Sequence, residues 1–250
     1  MSLIKSVLAG AILQKHFTSA VILAGGIGSR FGAEDGTKQH VKVCGIPTLV
    51  RSCLAFESSP RIDEIVIVSR AEETGTVKRY VEDYSLKKVT AVVEGGATRA
   101  ESSMNGAAAV SDKCKYIAIH DAARCLVTEK IIEDTVVAAF RYGAAAAAER
   151  VVDTVKIADD NGFIRSTEDR ERVWLVKTPQ VFKLSVYEVG SALTKRDGIE
   201  VTDDCMMVEH AGLGVKLVDC GHDNIKLTTR DDLALAEFII SKREKEEREP

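Results

Sequence analysis

Four short segments of this chain carry residue types that handle phosphates and divalent metals. The first is Leu23–Ala24–Gly25–Gly26–Ile27–Gly28–Ser29–Arg30–Phe31–Gly32. Glycines at that density let the backbone approach a phosphate and aim its N–H groups at it. Arg30 lies within the loop, and Lys38 follows in Thr37–Lys38–Gln39. An arginine and a lysine around a backbone nest can hold a triphosphate and neutralise charge on a reacting phosphorus. Two better-known phosphate loops do not fit. A P-loop needs Gly-Lys-Ser/Thr at its end, whereas Gly32 is followed by Ala33. A dinucleotide loop needs GxGxxG and an acid closing the second strand; here the spacing is GxGxxxG, and that run ends in Ser69–Arg70.

The second segment is Glu94–Gly95–Gly96–Ala97–Thr98–Arg99–Ala100–Glu101–Ser102. Its glycine pair allows close backbone approach, and Arg99 and Ser102 fall in the first turn of the next helix, where anions are favoured. The third, Ile119–His120–Asp121–Ala122–Ala123–Arg124, offers a carboxylate for magnesium, a hard cation that prefers oxygen ligands and substrate phosphates. Arg124 could take a second anion, while His120 reads as a buttress or core residue. The fourth, Gly221–His222–Asp223–Asn224–Ile225–Lys226, adds Asp223 as a second candidate acid and Lys226 as a third cation. Val201–Thr202–Asp203–Asp204 opens a helical segment, and its first acid suits a cap. Each segment alone is also what a glycine turn with solvated charges would show. Their recurrence at strand ends is what points to a phosphate site.

The elements that must position these segments are legible as apolar runs. Ser19–Leu23, Glu64–Ser69, Val89–Glu94, Tyr116–His120, Ala144–Val152, Val173–Val176, Val215–Val218 and Asn224–Thr228 read as strands. The early runs are continuous, as in strands buried on both faces of a parallel sheet. Pro47–Ser58, Thr74–Tyr84, Arg99–Val110, Glu129–Tyr142 and Arg230–Glu247 read as helices between and after them. This alternation predicts a doubly wound α/β fold, whose ligands bind beyond the carboxyl ends of the strands. Asp160–Asn161–Gly162 is a hairpin signal that interrupts the rhythm, so 151–171 reads as a β-arm leaving the core. Residues 1–18 read as an N-terminal helical extension, 19–241 as the domain and 242–250 as a charged tail.

Composition narrows the function classes. The 250 residues are 45% apolar and 29% charged, with net charge −4, an ordinary globular profile with no general basic surface for nucleic acid. Aromatics at 5% argue against a stacking platform for single strands. The six cysteines are scattered without CxxC spacing and read as buried thiols in a reducing cytoplasm. The apolar run Ser6–Leu13 is too short to span a bilayer.

With these residues in hand, the chain resembles the 2-C-methyl-D-erythritol 4-phosphate cytidylyltransferases over about residues 19–240. The likeness rests on Gly25–Arg30 with Lys38–Gln39, Gly95–Arg99 with Ser102, and His120–Arg124. It continues through Asp153–Thr154–Val155–Lys156, Thr178–Pro179–Gln180, Thr202–Asp203–Asp204 and Asp223–Lys226. It implies a Rossmann-like nucleotidyltransferase fold and a homodimer whose arm reaches the partner's site. It also implies a cytoplasmic enzyme that moves CMP from CTP to a sugar-alcohol phosphate. By the same resemblance Arg30, Lys38 and Lys226 are catalytic. Ala24, Gly25, Gly26, Gly28, Gly95, Gly96, Arg99, Ser102 and Ala122 bind the nucleotide. Arg124, Asp153, Thr154 and Arg170 bind the acceptor, and Asp121 and Asp223 hold Mg²⁺. Thr37, Ala97 and Cys125 stand where the family usually has proline, an acid and proline. The glycine loop also resembles that of the ribitol-5-phosphate cytidylyltransferases, so a pentitol phosphate is the alternative acceptor, and a non-catalytic nucleotide-binding module the alternative class.

Overall fold

The computed structural model describes residues 15–26, 37 and 39–248; the expected extension lies outside them but for its last four residues. The chain enters through β1 (Thr18–Leu23) and, beyond the glycine loop, a small hairpin of β2 (Lys42–Val43) and β3 (Ile46–Pro47). Then come α1 (Thr48–Ser58), β4 (Glu64–Ser69), α2 (Thr74–Asp83), β5 (Val89–Glu94), α3 (Arg99–Ala108), β6 (Tyr116–Asp121) and α4 (Glu129–Tyr142). The second half holds β7 (Ala144–Arg150), an outlying pair β8 (Lys156–Ala158) and β9 (Ile164–Thr167), and β10 (Trp174–Lys183). It ends with α5 (Leu184–Asp197), α6 (Asp204–His210), β11 (Lys216–Asp219) and α7 (Arg230–Arg248).

One seven-stranded sheet runs in the order β5-β4-β1-β6-β10-β7-β11. β1, β4, β5 and β6 are parallel, as their unbroken apolar runs predict, and only β10 is antiparallel to both neighbours. β1 shows why both faces must be apolar. Ala20 and Ile22 pack with Leu49, Phe56 and Ile132 from α1 and α4, while Val21 and Leu23 pack with Tyr187, Met207 and Val208 from α5 and α6. The five alanines Ala144–Ala148 are poor strand formers by propensity, yet they form β7 with all five buried. α7 joins a third cluster with Val43, Leu126 and Leu227.

Several boundaries differ from the sequence reading. Of Val173–Val176, all but Val173 belong to a ten-residue strand, Trp174–Lys183, whose pairing with β7 shifts register between Val176 and Gln180. Pro179 lies in that irregularity, after a cis Thr178–Pro179 bond, where a residue without an N–H is tolerated. Asn224–Thr228 is not a strand. β6 is already paired on one side by β1 and on the other by β10, so no ladder is free beside it, and side chains pin the segment instead. α5 was not anticipated; Gly190 marks its crossing with α6, where a Cβ would meet Met207 O at 2.7 Å. Four cysteines are buried, but Cys44 is exposed and Cys220 half-buried.

Residues 151–171 leave the sheet. β8 and β9 pair only with each other, about a turn where Asp159 Oδ1 accepts the N–H groups of Asn161 and Phe163 and Gly162 has φ +83°.

Candidate active site

The sheet order reverses at β1: the chain moves outward through β4 and β5, then returns to place β6 on the other side. Ligands of open α/β sheets bind at such a switch point. A cleft of about 580 Å³ lies there, lined by Leu23 and Ser69 at the ends of β1 and β4, by Gly25, Gly26 and Arg70–Glu72 just beyond them, by Gly95–Arg99 and Ser102 around the start of α3, and by Asp121 and Lys226.

One wall is a backbone cradle. Thr98 caps α3 by accepting the Glu101 N–H at 3.0 Å, and Glu101 Oε2 reaches back to the Ala97 N–H at 2.7 Å. These reciprocal bonds satisfy donors that a helix start leaves open. Ser102 Oγ donates to Thr98 O and accepts the Gly96 N–H at 3.1 Å. A Cβ on Gly95 would sit 2.8 Å from Ser102 Oγ, and one on Gly96 2.3 Å from Glu101 Cβ. Only glycines bring the chain this close to the helix.

The other wall is charged. Asp121 ends β6; its Oδ1 accepts from Arg99 Nε at 3.2 Å and its Oδ2 from Lys226 Nζ at 2.7 Å. Burial opposes its charged form, but Arg99 and then Lys226 more than offset this, holding the carboxyl well below the ordinary range. It is therefore a carboxylate at neutral pH. Arg99 continues the chain of charges through Nη1 to Asp204 Oδ2 at 2.7 Å. Asp204 is fully buried at the start of α6; Ser103 Oγ donates to it at 2.5 Å, and its N–H donates to Gln180 Oε1 at 3.0 Å. Burial pushes its carboxyl upward, against Arg99 and Ser103. Asp203 caps α6 by accepting the Met206 N–H.

His120 is a buttress. It is buried, its Nδ1 lies 3.0 Å from Thr178 Oγ1, and Thr178 Oγ1 also accepts the Asp121 N–H at 3.1 Å. Burial pulls its pKa down to about 3, so the ring is neutral. The segment carrying Lys226 is held by Asn224 Nδ2 on Thr178 O at 2.9 Å, Arg124 Nη1 on Asn224 O at 3.1 Å, and the Leu227 N–H on Ala123 O at 2.8 Å. Arg124 Nε is buried without a partner among the described residues.

Of the residues singled out in the sequence, Gly25, Gly26, Gly95, Gly96, Arg99, Ser102, Asp121 and Lys226 meet in this cleft. Ala24 and Ala122 are buried beside it. Arg124 is off the cleft wall. Asp223 pairs with Arg243 at 3.5 Å and does not line the cleft. Asp153, Thr154 and Arg170 are exposed around the arm, Arg170 Nη1 donating to Val152 O at 3.0 Å. Gly28, Arg30 and Lys38 lie outside the described residues. Four further residues of the site carry no role in the sequence reading. Asp204 reads as a helix start, and only the need of a half-buried Arg99 for carboxylates could have flagged it. Arg70 and Glu72 follow the end of β4, so the strand-end rule itself was signal enough. Gln39 has a role that only its contacts show: its Nε2 donates to Ala24 O at 2.5 Å and Gly26 O at 2.8 Å.

Magnesium characteristically takes one or two carboxylates plus substrate phosphates. Asp121 is ionised and lines the cleft, as such a carboxylate would, but its two oxygens already accept from Arg99 and Lys226, so a metal would have to share or displace those partners. Among the described residues, no group of three or more His, Cys, Asp or Glu side chains could hold a metal by itself. Nor is any described helix long and apolar enough to cross a membrane.

Comparison with known proteins agrees with this geometry. The family pattern of 2-C-methyl-D-erythritol 4-phosphate cytidylyltransferase matches residues 18–242. Enzymes of that name from Alkaliphilus oremlandii and Caldanaerobacter subterraneus are each 39% identical, over 90% of this chain and 96% and 99% of their own lengths. The structure of 4-diphosphocytidyl-2C-methyl-D-erythritol synthase from Anaerococcus prevotii is similar with a TM-score of 0.82, at 28% identity over 92% of this chain and 99% of that one. The 2-C-methyl-D-erythritol 4-phosphate cytidylyltransferase of Thermus thermophilus is similar at 0.73, also at 28% identity, over 89% and 98%. The chain belongs to the 2-C-methyl-D-erythritol 4-phosphate cytidylyltransferase family.

Proposed function

We infer that this protein transfers the cytidylyl group of CTP to 2-C-methyl-D-erythritol 4-phosphate, releasing pyrophosphate. The observation that carries the reading is the ionised Asp121 held between Arg99 and Lys226, facing the Gly95–Gly96–Ser102 cradle across one cleft. An acceptor phosphate oxygen attacks the α-phosphorus of CTP in line, forming a P–O bond while the bond to the β-phosphate oxygen breaks. The nucleophile is already an anion, so no general base is needed, and catalysis rests on positioning and charge stabilisation.

In this reading Gly95, Gly96, Arg99 and Ser102 receive the cytidine side, with Ala24, Gly25, Gly26, Gly28 and Ala122 shaping the adjoining backbone. Arg30, Lys38 and Lys226 stabilise the charge that develops on the phosphates. Asp121 would hold Mg²⁺, which when bound neutralises phosphate charge; Asp223 would join it only by giving up Arg243. Arg124, whose Nε lacks a partner among the described residues, and the arm residues Asp153, Thr154 and Arg170 receive the acceptor. The arm exposes Val152, Ile157, Phe163 and Ile164, the apolar surface a homodimer contact requires. The six free thiols suit a cytoplasmic location.

Pyrophosphate release with CTP and Mg²⁺ tests the assignment, with 2-C-methyl-D-erythritol 4-phosphate and ribitol 5-phosphate offered in parallel. Faster turnover of the first is expected. Preference for the second would overturn the acceptor, and CTP binding without release from either would overturn the activity.

A further inference from the structure

We propose that Glu149, Lys177 and His222 are positioning residues: together they clasp the segment after β11 to the ends of β7 and β10, and so place Lys226 in the cleft. The inference rests on the reading of Lys226 as a charge stabiliser.

Residues 220–229, between β11 and α7, belong to neither helix nor strand, so no ladder or helical bonding sets where Lys226 stands. Its Nζ still meets Asp121 Oδ2 at 2.7 Å. Single bonds do the placing. The Cys220 N–H donates to Ala148 O at 2.9 Å, and at the far end the Leu227 N–H donates to Ala123 O at 2.8 Å. Between them Asn224 Nδ2 donates to Thr178 O at 2.9 Å. The clasp grips His222, just after Gly221, whose φ of +64° lies in the left-handed region that glycine favours.

At its centre is an ion pair. Glu149 is the last residue but one of β7, and Lys177 lies in the stretch of β10 where pairing with β7 shifts register. Lys177 is 7% exposed, and its Nζ meets Glu149 Oε2. Both members also hold His222. Lys177 Nζ donates to His222 O at 3.4 Å, and His222 Nδ1 bonds Glu149 Oε1. One residue is thereby held at its backbone from β10 and at its ring from β7.

The sheet itself has no need of charge here. The five residues before Glu149, Ala144–Ala148, are buried alanines. A buried ion pair is often replaced by apolar side chains of similar volume without loss of stability, because desolvation cancels the attraction. What an apolar pair would not supply is the two bonds to His222. Those bonds act on the chain that carries Lys226, four residues further on. Lysine has large conformational freedom, and a misplacement of about 1 Å at a reacting centre can cost a hundredfold in rate.

The test is a mutant cycle on the full-length enzyme, read as kcat and KM for CTP in pyrophosphate release. Glu149→Leu combined with Lys177→Met replaces the ion pair by apolar side chains of similar volume. It should lower kcat about tenfold and change KM by less than about twofold. His222→Ala should lower kcat in the same sense, and His222→Asn, whose amide can donate to Glu149 in place of Nδ1, should restore most of the rate. In a Lys226→Ala background neither the double substitution nor His222→Ala should cost anything further, since no ammonium is left to place. Should the double variant fail to fold, the His222 variants decide alone, because that ring is 65% exposed. Wild-type kcat in these variants, or an undiminished loss carried into the Lys226→Ala background, overturns the proposal, since a merely structural role is additive. Wild-type turnover in Lys226→Ala overturns the reading of Lys226 itself, and the clasp with it. A slow Lys226→Ala beside normal clasp variants overturns the clasp alone.

Discussion

The cleft and the β-arm are built on opposite plans. In the cleft, Asp121 meets Arg99 and Lys226 from 22 and 105 positions away, and Arg99 meets Asp204 from 105. Each of these bonds joins segments distant in the chain: the end of β6, the first turns of α3 and α6, and the segment that carries Lys226. In the arm, Lys156 Nζ donates to Thr167 Oγ1 at 2.6 Å across the hairpin, Asp159 organises its own turn, and Arg170 reaches Val152 O 18 positions back. Phe163 and Ile164 are 72% and 65% exposed, whereas Asp204 is fully buried. The cleft is preorganised by its own chain. The arm has local order and an uncovered apolar face, which suits an element that completes a site elsewhere.

Four outcomes break or sharpen this contrast, in decreasing order of expected effect. Lys226→Ala should lower kcat by about 10²–10³, the scale for losing one charge stabiliser, in steady-state pyrophosphate release; a rate within about threefold of wild type would make the cleft's cation chain structural only. Asp204→Ala should destabilise the fold by about 3 kcal/mol, because Arg99 and Ser103 lose a buried partner. Urea unfolding with a loss below about 0.5 kcal/mol would show that the cleft is less interlocked than its geometry implies.

His120 supplies the pH test. Its folded pKa of about 3 lies below the ordinary histidine value, because of burial, so the unfolded chain binds the proton more readily. Stability from keeping this ring neutral is complete above about pH 6.5 and is lost as pH falls from there toward about 3, with a slope of up to about 1.4 kcal/mol per pH unit. His120→Asn should flatten that part of the stability profile, while Arg170→Ala should leave it unchanged. Parallel profiles for wild type and His120→Asn would assign the slope to other groups. Finally, Arg170→Ala should raise the acceptor KM about tenfold and the CTP KM far less, with no change in melting temperature. Equal effects on both substrates would remove the arm's acceptor role.

Much of the scaffold was legible because it is local. The unbroken runs at Ser19–Leu23 and Glu64–Ser69 announce strands covered on both faces, and Asp160–Asn161–Gly162 announces a turn. Legibility failed where a neighbour decides. Asn224–Thr228 has strand-like composition, but β6 has no open side to pair with it. Val173–Val176 reads as a short strand by its apolar run alone, yet the sheet carries β10 through Pro179 to Lys183 by shifting register. α5 escaped notice because its apolar residues make a weak stripe, and the close crossing at Gly190 fixes it against α6.

The sequence by itself determined the alternation of strands and helices, the glycine positions where backbone must come close, and which segments carry phosphate-binding types. These follow from local rules: side-chain periodicity, backbone freedom and capping chemistry. Only the tertiary structure decided that Asp121 is shared by Arg99 and Lys226, that Asp204 backs Arg99, and that Gln39 grips the carbonyls of Ala24 and Gly26. Such pairings depend on which strand ends the sheet order brings together and which charges burial leaves in need of a partner. No local pattern encodes either.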